Sequence, residues 1–146
     1  MNADSFPSLA GTWRLVSYEA RTSAGETRYP LGQQVVGQLF YDNHGNMSGH
    51  VMRVDRPTFG SDDSGSGTDM EVRGAFEGHL SYFGTYTIDP STRTVTHHVL
   101  GASYPNWMGH DQIRYYRIDG SRLVLSTPPI LFRRESLEYI LTWERI

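Results

Sequence analysis

Gly11-Thr12-Trp13, followed by Arg14-Leu15-Val16-Ser17-Tyr18, is the stretch that decides the fold, together with Thr142-Trp143-Glu144-Arg145 near the last residue. Both stretches contain the β-branched and aromatic residues that favour strands. The indole of Trp13 is a large, flat apolar surface. An arginine guanidinium placed over an indole face adds a cation–π contact of roughly 0.5–2 kcal/mol. Trp13 in the first predicted strand and Arg145 in the last are therefore a chemically matched pair.

Strand-like patterning recurs through most of the 146 residues, a length that predicts a single domain over 1–146. Runs rich in β-branched and aromatic side chains alternate in polarity, and short turn signals separate them. Asp119-Gly120, for example, predicts a tight hairpin. The predicted strands are 11–20, 34–42, 46–54, 81–88, 93–101, 111–118, 121–126 and 136–145. Eight strands linked by hairpins predict an all-β, antiparallel up-and-down barrel, of the size that fills itself or holds one small ligand.

The segment between the third and fourth predicted strands departs from this pattern. It begins with a stretch that is too polar and too rich in glycine to pack, which predicts a mobile loop. Thr68 and Glu71 then have the spacing of a capping box. One face of the short helix that follows carries three apolar residues, Val72, Phe76 and Leu80. A mobile loop and an amphipathic helix suit a lid over the barrel, or equally a structural plug at one end.

Several further stretches are shared with a known family. They are Gly37-Gln38-Leu39-Phe40-Tyr41 with Gly45-Asn46-Met47-Ser48, Tyr82-Phe83-Gly84-Thr85-Tyr86, Val95-Thr96-His97-His98-Val99, Pro105-Asn106-Trp107 and Leu141-Thr142-Trp143-Glu144-Arg145. With the Gly-Thr-Trp start they cover nearly the whole chain in order, and they resemble a bacterial and fungal family of small lipocalin-like domains, a kind of calycin barrel. The resemblance implies that Trp13 fills one end of the barrel, that Arg145 stacks across it, and that Gly11 belongs to the same closure. It also implies a barrel cavity that binds a small molecule.

Composition excludes several kinds of chemistry. The chain has no cysteine, and all 13 of its basic residues other than histidine are arginine, so thiolate, disulfide and lysine chemistry are absent. The sequence has no His-x-His pair or carboxylate triad for a metal, and no nucleotide-binding motif. A net charge of −3 without runs of like charge argues against nucleic acid and acidic membrane surfaces. We expect no metal, no cofactor, no transmembrane segment and a cytoplasmic location.

The neighbours His97 and His98 are the strongest candidates for chemistry. Adjacent strand residues point to opposite faces, so one imidazole faces the barrel interior and the other faces out. Pairing through the turn after Asp89 predicts Thr85 opposite His97, with His97 inward. An imidazole there would suit a general acid or base, and Tyr86 is the second predicted catalytic residue. The alternative is a buried histidine that hydrogen-bonds a tyrosine or a backbone carbonyl and has no catalytic role.

Aromatic side chains dominate the predicted ligand contacts, because a phenol can orient a ligand carbonyl while its ring provides contact area. The predicted ligand-binding residues are Tyr82, Phe83, His98, Asn106, Trp107, Tyr115 and Tyr139. Most of the nine tyrosines are expected to be ordinary packing, and Trp107 has the alternative role of anchoring its own loop. Arg114 is expected to face solvent. Facing inward, it would instead hold a carboxylate or an enolate.

Three functions are compatible with these residues. The first is a cofactor-free cyclase or isomerase, in which confinement of a polyketide- or terpenoid-like substrate supplies about 7–11 kcal/mol of the barrier. The resemblance favours this hypothesis, since other calycin-like barrels catalyse such reactions and the lipocalin-like family often occurs beside secondary-metabolite pathways. The second is a non-catalytic binder or carrier of a hydrophobic small molecule. The third is a packed interior with function at the surface, and a homodimer is one further option for so small a barrel.

Overall fold

The computed structural model describes residues 8–146, which form ten β-strands, one α-helix and one short 3-10 turn. The strands are β1 Gly11–Thr22, β2 Thr27–Arg28, β3 Val35–Tyr41, β4 Asn46–Arg53, β5 His79–Asp89, β6 Thr94–Ala102, β7 Asp111–Asp119, β8 Arg122–Ser126, β9 Ile130–Phe132 and β10 Glu135–Arg145. The helix is α1 Asp69–Glu77, and the 3-10 turn is Pro105–Trp107. All eight strands predicted from the sequence are present, and the short strands β2 and β9 are additional.

The eight long strands close into an antiparallel barrel, which confirms the predicted fold class. Their order around the barrel is β1, β3, β4, β5, β6, β7, β8 and β10, and β10 pairs again with β1. The short strands β2 and β9 pair with β1 and β10 outside this circle. Because the first and last long strands pair with each other, the barrel has none of the unpaired edges of an open sheet.

The two ends of the barrel differ in how the strands are connected. At one end, which we call the closed end, tight turns join β3 to β4, β5 to β6 and β7 to β8. At the other end, which we call the open end, longer connections carry β2, α1, the 3-10 turn and β9. Binding residues concentrate on loops that a rigid scaffold positions. The open end is therefore the end at which to look for a site.

Trp13 and Arg145 are cross-strand partners on β1 and β10 at the closed end. Trp13 is fully buried, and the guanidinium carbon of Arg145 lies 4.2 Å from its ring centroid. Arg145 also donates to the carbonyl oxygens of Ala10 at 2.7 Å and Ser8 at 2.8 Å. Gly11 has a φ of +134°, and a Cβ at this position would lie 2.7 Å from Nη1 of Arg145. A side chain here would thus push the guanidinium away from its carbonyl partners.

Alternating side chains of the long strands fill the interior above this closure. The buried apolar core includes Leu15, Leu39, Tyr41, Met47, Val51, Val95, Leu123, Leu125 and Trp143. Among the described residues, the buried side chains that are polar or charged are Thr22, His97, Arg114 and Thr127. A buried polar group costs free energy unless it is hydrogen-bonded, and a buried charge costs more. His97 and Arg114 therefore need an explanation that packing does not give.

The helix α1 begins with the predicted capping box. The Thr68 hydroxyl accepts from the Glu71 N–H at 3.2 Å, and the Glu71 carboxylate accepts from the Thr68 N–H at 2.9 Å. The second carboxylate oxygen accepts from the Gly60 N–H at 2.7 Å, which ties the preceding loop to the helix. The helix ends at Glu77, so Leu80 belongs to β5 and not to the predicted apolar stripe. Among the described helices, none has the length and hydropathy that crossing a membrane requires.

Candidate functional site

Strand β6 directs every second side chain into the barrel, and His97 lies between the buried residues Val95 and Val99. His97 itself is 1 % exposed. Its Nε2 lies 2.6 Å from the Tyr41 hydroxyl, and its Nδ1 lies 2.7 Å from the Tyr82 hydroxyl. A neutral imidazole has one donor and one acceptor nitrogen, so it donates to one phenol and accepts from the other. Both ring nitrogens of His97 are therefore occupied.

Aromatic contacts continue from His97 in both directions. We call the resulting set the interior row: Tyr86, Tyr41, His97, Tyr82 and Trp107. The ring centroids of Tyr86 and Tyr41 are 4.7 Å apart, and those of Tyr82 and Trp107 are 5.6 Å apart in an edge-to-face arrangement. Toward the closed end, the Tyr86 hydroxyl donates to the Asp42 carbonyl at 2.6 Å. Trp107 lies in the 3-10 turn, so the interior row reaches the open end.

Arg114 approaches the interior row from β7, where it is the cross-strand partner of Val95. Only 8 % of the residue is exposed, which corrects the expectation that it faces solvent. Its guanidinium carbon lies 5.7 Å from the Trp107 ring centroid, and its Nη1 donates to the Ile113 carbonyl at 2.9 Å. Within residues 8–146, Arg114 takes part in no salt bridge. The interior of the barrel thus contains a positive charge that no described carboxylate neutralises.

Burial keeps the titratable groups of the interior row neutral. It lowers the pKa of His97 from the ordinary value to about 3, and the charges of Arg114 and His98 act in the same direction. Burial raises the pKa of the Tyr41 and Tyr82 hydroxyls, while the Arg114 guanidinium opposes that rise. At neutral pH the imidazole and the phenols are therefore uncharged, and the guanidinium is positive.

Tyr18 on β1 and Tyr139 on β10 add a second pair of phenols near the open end. Their ring centroids are 5.8 Å apart. Burial raises the pKa of both hydroxyls, and for Tyr18 the Arg114 guanidinium opposes the rise. The open-end wall, as we call it, consists of Arg114 and four aromatic side chains, which are Tyr18, Tyr82, Trp107 and Tyr139. It combines flat rings with a single guanidinium.

The interior row and the open-end wall offer different chemistry. His97 has no free ring nitrogen, so a proton exchange with a ligand would first require the loss of a tyrosine hydrogen bond. Arg114 presents a planar fork of N–H donors that suits an oxyanion. Aromatic side chains beside the guanidinium supply flat apolar contact area. This arrangement is better suited to holding a flat ligand with a polar oxygen than to moving protons. Among residues 8–146, no group of His, Asp and Glu side chains has the arrangement of a metal site.

Two open concavities on the surface lie away from this cluster. One is lined by residues of β7, β8 and β10, among them Arg117 and Thr142. The other surrounds the turn between β3 and β4, with Phe40 and His44 among its lining residues. Neither is lined by a member of the open-end wall, and neither encloses a buried charge. We therefore place the candidate site at the open-end wall.

Five of the residues predicted from the sequence meet inside the barrel or at its open end. They are His97, Tyr82, Tyr86, Tyr139 and Trp107. The predicted catalytic residue Tyr86 is engaged with a backbone carbonyl rather than free. Asn106 is exposed on the same turn as Trp107. Trp107 packs edge-to-face on Tyr82, so it both anchors its loop and contributes to the open-end wall.

Three other predicted ligand-binding residues lie on the outer face of the barrel. Phe83 is 55 % exposed and Tyr115 is 48 % exposed, which corrects the expectation that they line the interior. His98 also points outward, where its Nδ1 lies 2.8 Å from the Asp111 carboxylate and its Nε2 lies 3.0 Å from the Thr87 hydroxyl. On β7 the inward tyrosine is Tyr116, which packs against the core.

The register between β5 and β6 explains part of this difference. The hairpin turn is one residue longer than predicted, since Asp89 pairs with Thr94 and Arg93 adopts a φ of +54° in the turn. Tyr86, and not Thr85, is therefore the partner of His97. Because side-chain direction alternates along a strand, this register places Tyr82 and Tyr86 inside and Phe83 outside.

Sequence reasoning did not single out Tyr41 or Tyr18 and placed Arg114 on the wrong face. Tyr41 had a usable signal, because the alternation along β3 puts it on the same face as the buried Leu39. Tyr18 had none, since a β-bulge between Leu15 and Ser17 changes the alternation along β1. Finding the functional residues of β1 therefore requires the tertiary structure.

Comparison with known proteins gives two matches. A family model described as a lipocalin-like domain matches residues 10–146. The chain is also 37 % identical over 107 residues to the 4'-hydroxy-3'-methoxypropiophenone carrier protein ppsC of Aspergillus oryzae (strain ATCC 42149 / RIB 40), with 68 % of this chain and 96 % of the relative covered. No solved structure gives a significant match. Both matches support small-molecule binding as the class of function and a small hydrophobic molecule as the ligand.

Proposed function

Because the chain belongs to the lipocalin-like domain family, we propose that it binds a small aromatic molecule at the open-end wall and carries it unchanged. The observation that carries this proposal is the geometry of His97, whose two ring nitrogens are both held by tyrosine hydroxyls. A carrier needs a site that orients its ligand, and it needs no group that exchanges protons. The barrel has side chains that can orient a ligand, and His97 is not free to exchange a proton with one.

The open-end wall has the composition of a site for a flat ring. Trp107 stands at the open end in edge-to-face contact with Tyr82, and the ring centroid of Tyr104 lies 6.0 Å from that of Trp107. Arg114 adds donors beside these rings. Ligand sites typically combine apolar and aromatic lining with a few polar groups that fix orientation. This wall therefore supports an aromatic ligand that carries polar oxygens.

The similarity to the carrier protein of Aspergillus oryzae suggests a ligand class. That protein is named for 4'-hydroxy-3'-methoxypropiophenone, which is a flat aryl ketone with a hydroxyl and a methoxy group. We propose an aryl ketone of this kind for the present chain. Its ring would pack on Trp107 and Tyr82, and one of its oxygens would accept from Arg114. A role in secondary metabolism, expected from the sequence, is part of the same proposal.

A cofactor-free cyclase or isomerase is the competing hypothesis. It requires His97 or Tyr86 to give or take a proton at a ligand atom. His97 is buried with a pKa lowered to about 3, and the Tyr86 hydroxyl donates to the Asp42 carbonyl. Neither group is free for that role in this structure, so the carrier hypothesis has the stronger support.

The test is a calorimetric titration with 4'-hydroxy-3'-methoxypropiophenone, followed by chromatography of the ligand recovered after long incubation. We expect binding at one site per chain and recovery of unchanged ligand. Tyr82→Leu removes a ring on which the ligand is proposed to pack and should weaken binding by at least about tenfold. Tyr115→Leu makes the same chemical change on the outer face and is expected to leave the affinity unaltered.

Two results would count against the carrier. Conversion of the ligand by the wild-type protein, lost in His97→Gln while binding persists, would establish the enzyme instead. Equal binding by the Tyr82→Leu and Tyr115→Leu variants and the wild type would move the ligand away from the open-end wall and reject the proposed site. A cytoplasmic location and a homodimer also remain predictions, which cell fractionation and sedimentation would test.

A further inference from the structure

Arg114 is a buried charge without a described counter-charge, and this property deepens the proposed function, on which the inference rests. Arg114 is 8 % exposed, and no carboxylate within residues 8–146 forms a salt bridge with it. Taking a cation out of water costs several kcal/mol unless an opposite charge or hydrogen bonds compensate. The fold therefore maintains a positive charge in its interior at a cost.

The groups that face this charge are all neutral at neutral pH. The Arg114 charge acts on the pKa of one such group on each of four strands, which are Tyr18 on β1, Tyr41 on β3, Tyr82 on β5 and His97 on β6. Tyr139 on β10 lies against Tyr18. On the outer face of β6, His98 pairs with Asp111. None of the inward groups supplies a negative charge.

The guanidinium also has unused donor capacity. A guanidinium carries five N–H donors. Nη1 of Arg114 donates to the Ile113 carbonyl at 2.9 Å. The guanidinium also opposes the rise in the pKa of the Tyr82 hydroxyl, through its charge and a hydrogen bond. The Trp107 ring at 5.7 Å covers one side of the charge but accepts no conventional hydrogen bond. Donors therefore remain for a ligand beside the aromatic rings of the open-end wall.

We infer that Arg114 binds its ligand through an aryl oxyanion, that is, an ionised oxygen carried on a flat aromatic ring. A phenolate made acidic by a conjugated ketone and a benzoate both have this chemistry. In either case the ligand supplies the negative charge that no described side chain pairs with Arg114, and its ring lies on the tryptophan and tyrosine side chains beside the guanidinium. The protein would thus select the ionised form of its ligand over the neutral form.

The experiment compares three probes: 4'-hydroxy-3'-methoxypropiophenone, its methyl ether 3',4'-dimethoxypropiophenone, and 4-propionylbenzoate. The first ionises at its hydroxyl with a change in absorbance, the second cannot ionise, and the third is a carboxylate. Saturating wild-type protein should lower the pKa of the bound hydroxyl probe by about one unit or more, which corresponds to a tenfold preference for the phenolate. The methyl ether should bind at least about tenfold more weakly than the phenolate.

The matched variants are Arg114→Met, which keeps an unbranched apolar stem and removes the charge, and Arg114→Lys, which keeps the charge. Arg114→Met should abolish the shift in the probe's pKa and reduce the methyl ether affinity by less than about twofold. Arg114→Lys should restore part of the shift, since a lysine is a point charge without the planar fork. The wild-type pKa shift needs no variant, so it tests the inference even where a variant fails to fold.

Each outcome separates this inference from the proposed function. Equal binding of the hydroxyl probe and its methyl ether, with no shift in the pKa of the probe, would overturn the inference that Arg114 binds an oxyanion. The proposed carrier function would still stand. Arg114-dependent binding of the benzoate alone would support the oxyanion and reject the hydroxy-methoxy aryl ketone as the ligand. A loss of methyl ether binding as large as the loss of phenolate binding in Arg114→Met would reveal a structural arginine and overturn the inference. Failure of all three probes to bind wild type would reject the proposed function and the inference together.

Discussion

The barrel places an arginine beside a tryptophan at each of its two ends, and the two pairs differ in what else the arginine contacts. At the closed end, Arg145 lies 4.2 Å from the Trp13 ring and donates to two backbone carbonyls. Toward the open end, Arg114 lies 5.7 Å from the Trp107 ring and donates to the single carbonyl of Ile113. The first arginine is at the surface, and the second is buried.

This difference teaches how the same two residue types serve different purposes. Arg145 keeps contact with water and satisfies its donors on the protein, so its contacts contribute to stability. Arg114 is only 8 % exposed and keeps donors free, so it adds little to stability and remains available to a ligand. We therefore expect mutations at the closed end to change mainly stability and mutations at the open end to change mainly ligand binding.

The largest effect is expected from truncation of the two tryptophans. Trp13→Ala removes the fully buried indole that fills the closed end and should lower the free energy of unfolding by about 3–5 kcal/mol. Trp107→Ala changes a half-buried loop residue and should cost about 1 kcal/mol, while it weakens ligand binding by at least about tenfold. Denaturant midpoints and calorimetric titration measure the two quantities. Similar stability losses in both variants would contradict the separation.

The pH dependence of the free energy of unfolding tests His97, which lies in the interior row between the two ends. The pKa of His97 is lowered to about 3 by burial, with contributions from Arg114 and His98. Above the unfolded-state pKa of about 6.5, the imidazole is neutral in both the folded and the unfolded state, so its titration does not change the free energy of unfolding. As the pH falls below that value toward the folded pKa, only the unfolded chain takes up the proton, so stability declines by up to about 1.4 kcal/mol per pH unit.

The measurement is the denaturant midpoint across mildly acidic pH, above the range in which carboxylates titrate. His97→Gln should flatten the decline that wild type shows there. His98→Gln, on the outer face, is the matched control and should retain it. A profile in His97→Gln that is as steep as that of wild type would show that another group causes the decline.

The arginines themselves give a smaller and opposite pair of effects. Arg145→Met should lower the free energy of unfolding by about 1–3 kcal/mol, because it removes the cation–π contact and two hydrogen bonds to carbonyls. Arg114→Met replaces a buried charge by a shorter, unbranched apolar side chain and should be at least as stable as wild type. Thermal unfolding of the two variants in the same buffer checks the signs. A destabilised Arg114→Met would indicate that this arginine supports the fold.

The smallest effect is expected at α1. Thr68→Ala removes the hydroxyl that caps the Glu71 N–H and should cost about 1 kcal/mol within the helix. No residue of α1 is buried, so the barrel itself should barely change in stability. Hydrogen exchange should speed up in the first turn of α1 alone, and Thr58→Ala, an exposed residue of the same connection, is the control. Faster exchange in the barrel strands would show that the helix braces the open end.

Much of the fold could be read from the sequence because its signals are local. The eight long strands follow from alternating polarity and turn residues, and Thr68 and Glu71 follow from the fixed spacing of a capping box. The short strands β2 and β9 could not be predicted in this way. Two or three residues carry no periodic pattern, and their pairing depends on where β1 and β10 happen to run.

The candidate site was only partly predictable, because it depends on register. His97, Tyr82 and Trp107 were identified as candidates from their residue types alone. Arg114 was assigned to the solvent because its neighbours Ile113 and Tyr115 are apolar, yet these neighbours lie 48 % exposed on the outer face. On a strand with apolar residues on both faces, local pattern does not decide which face is buried.

The sequence by itself thus determined an eight-stranded barrel of the lipocalin-like family, the helix between β4 and β5, and the residue types available for a site. The tertiary structure alone decided which of them face inward, since a shift of one residue in register exchanges the two faces of a strand. It also decided that His97 is held by Tyr41 and Tyr82, residues far away in the sequence. The position of Arg114 in the interior is the clearest case, because only closure of the barrel brings four other strands around its charge.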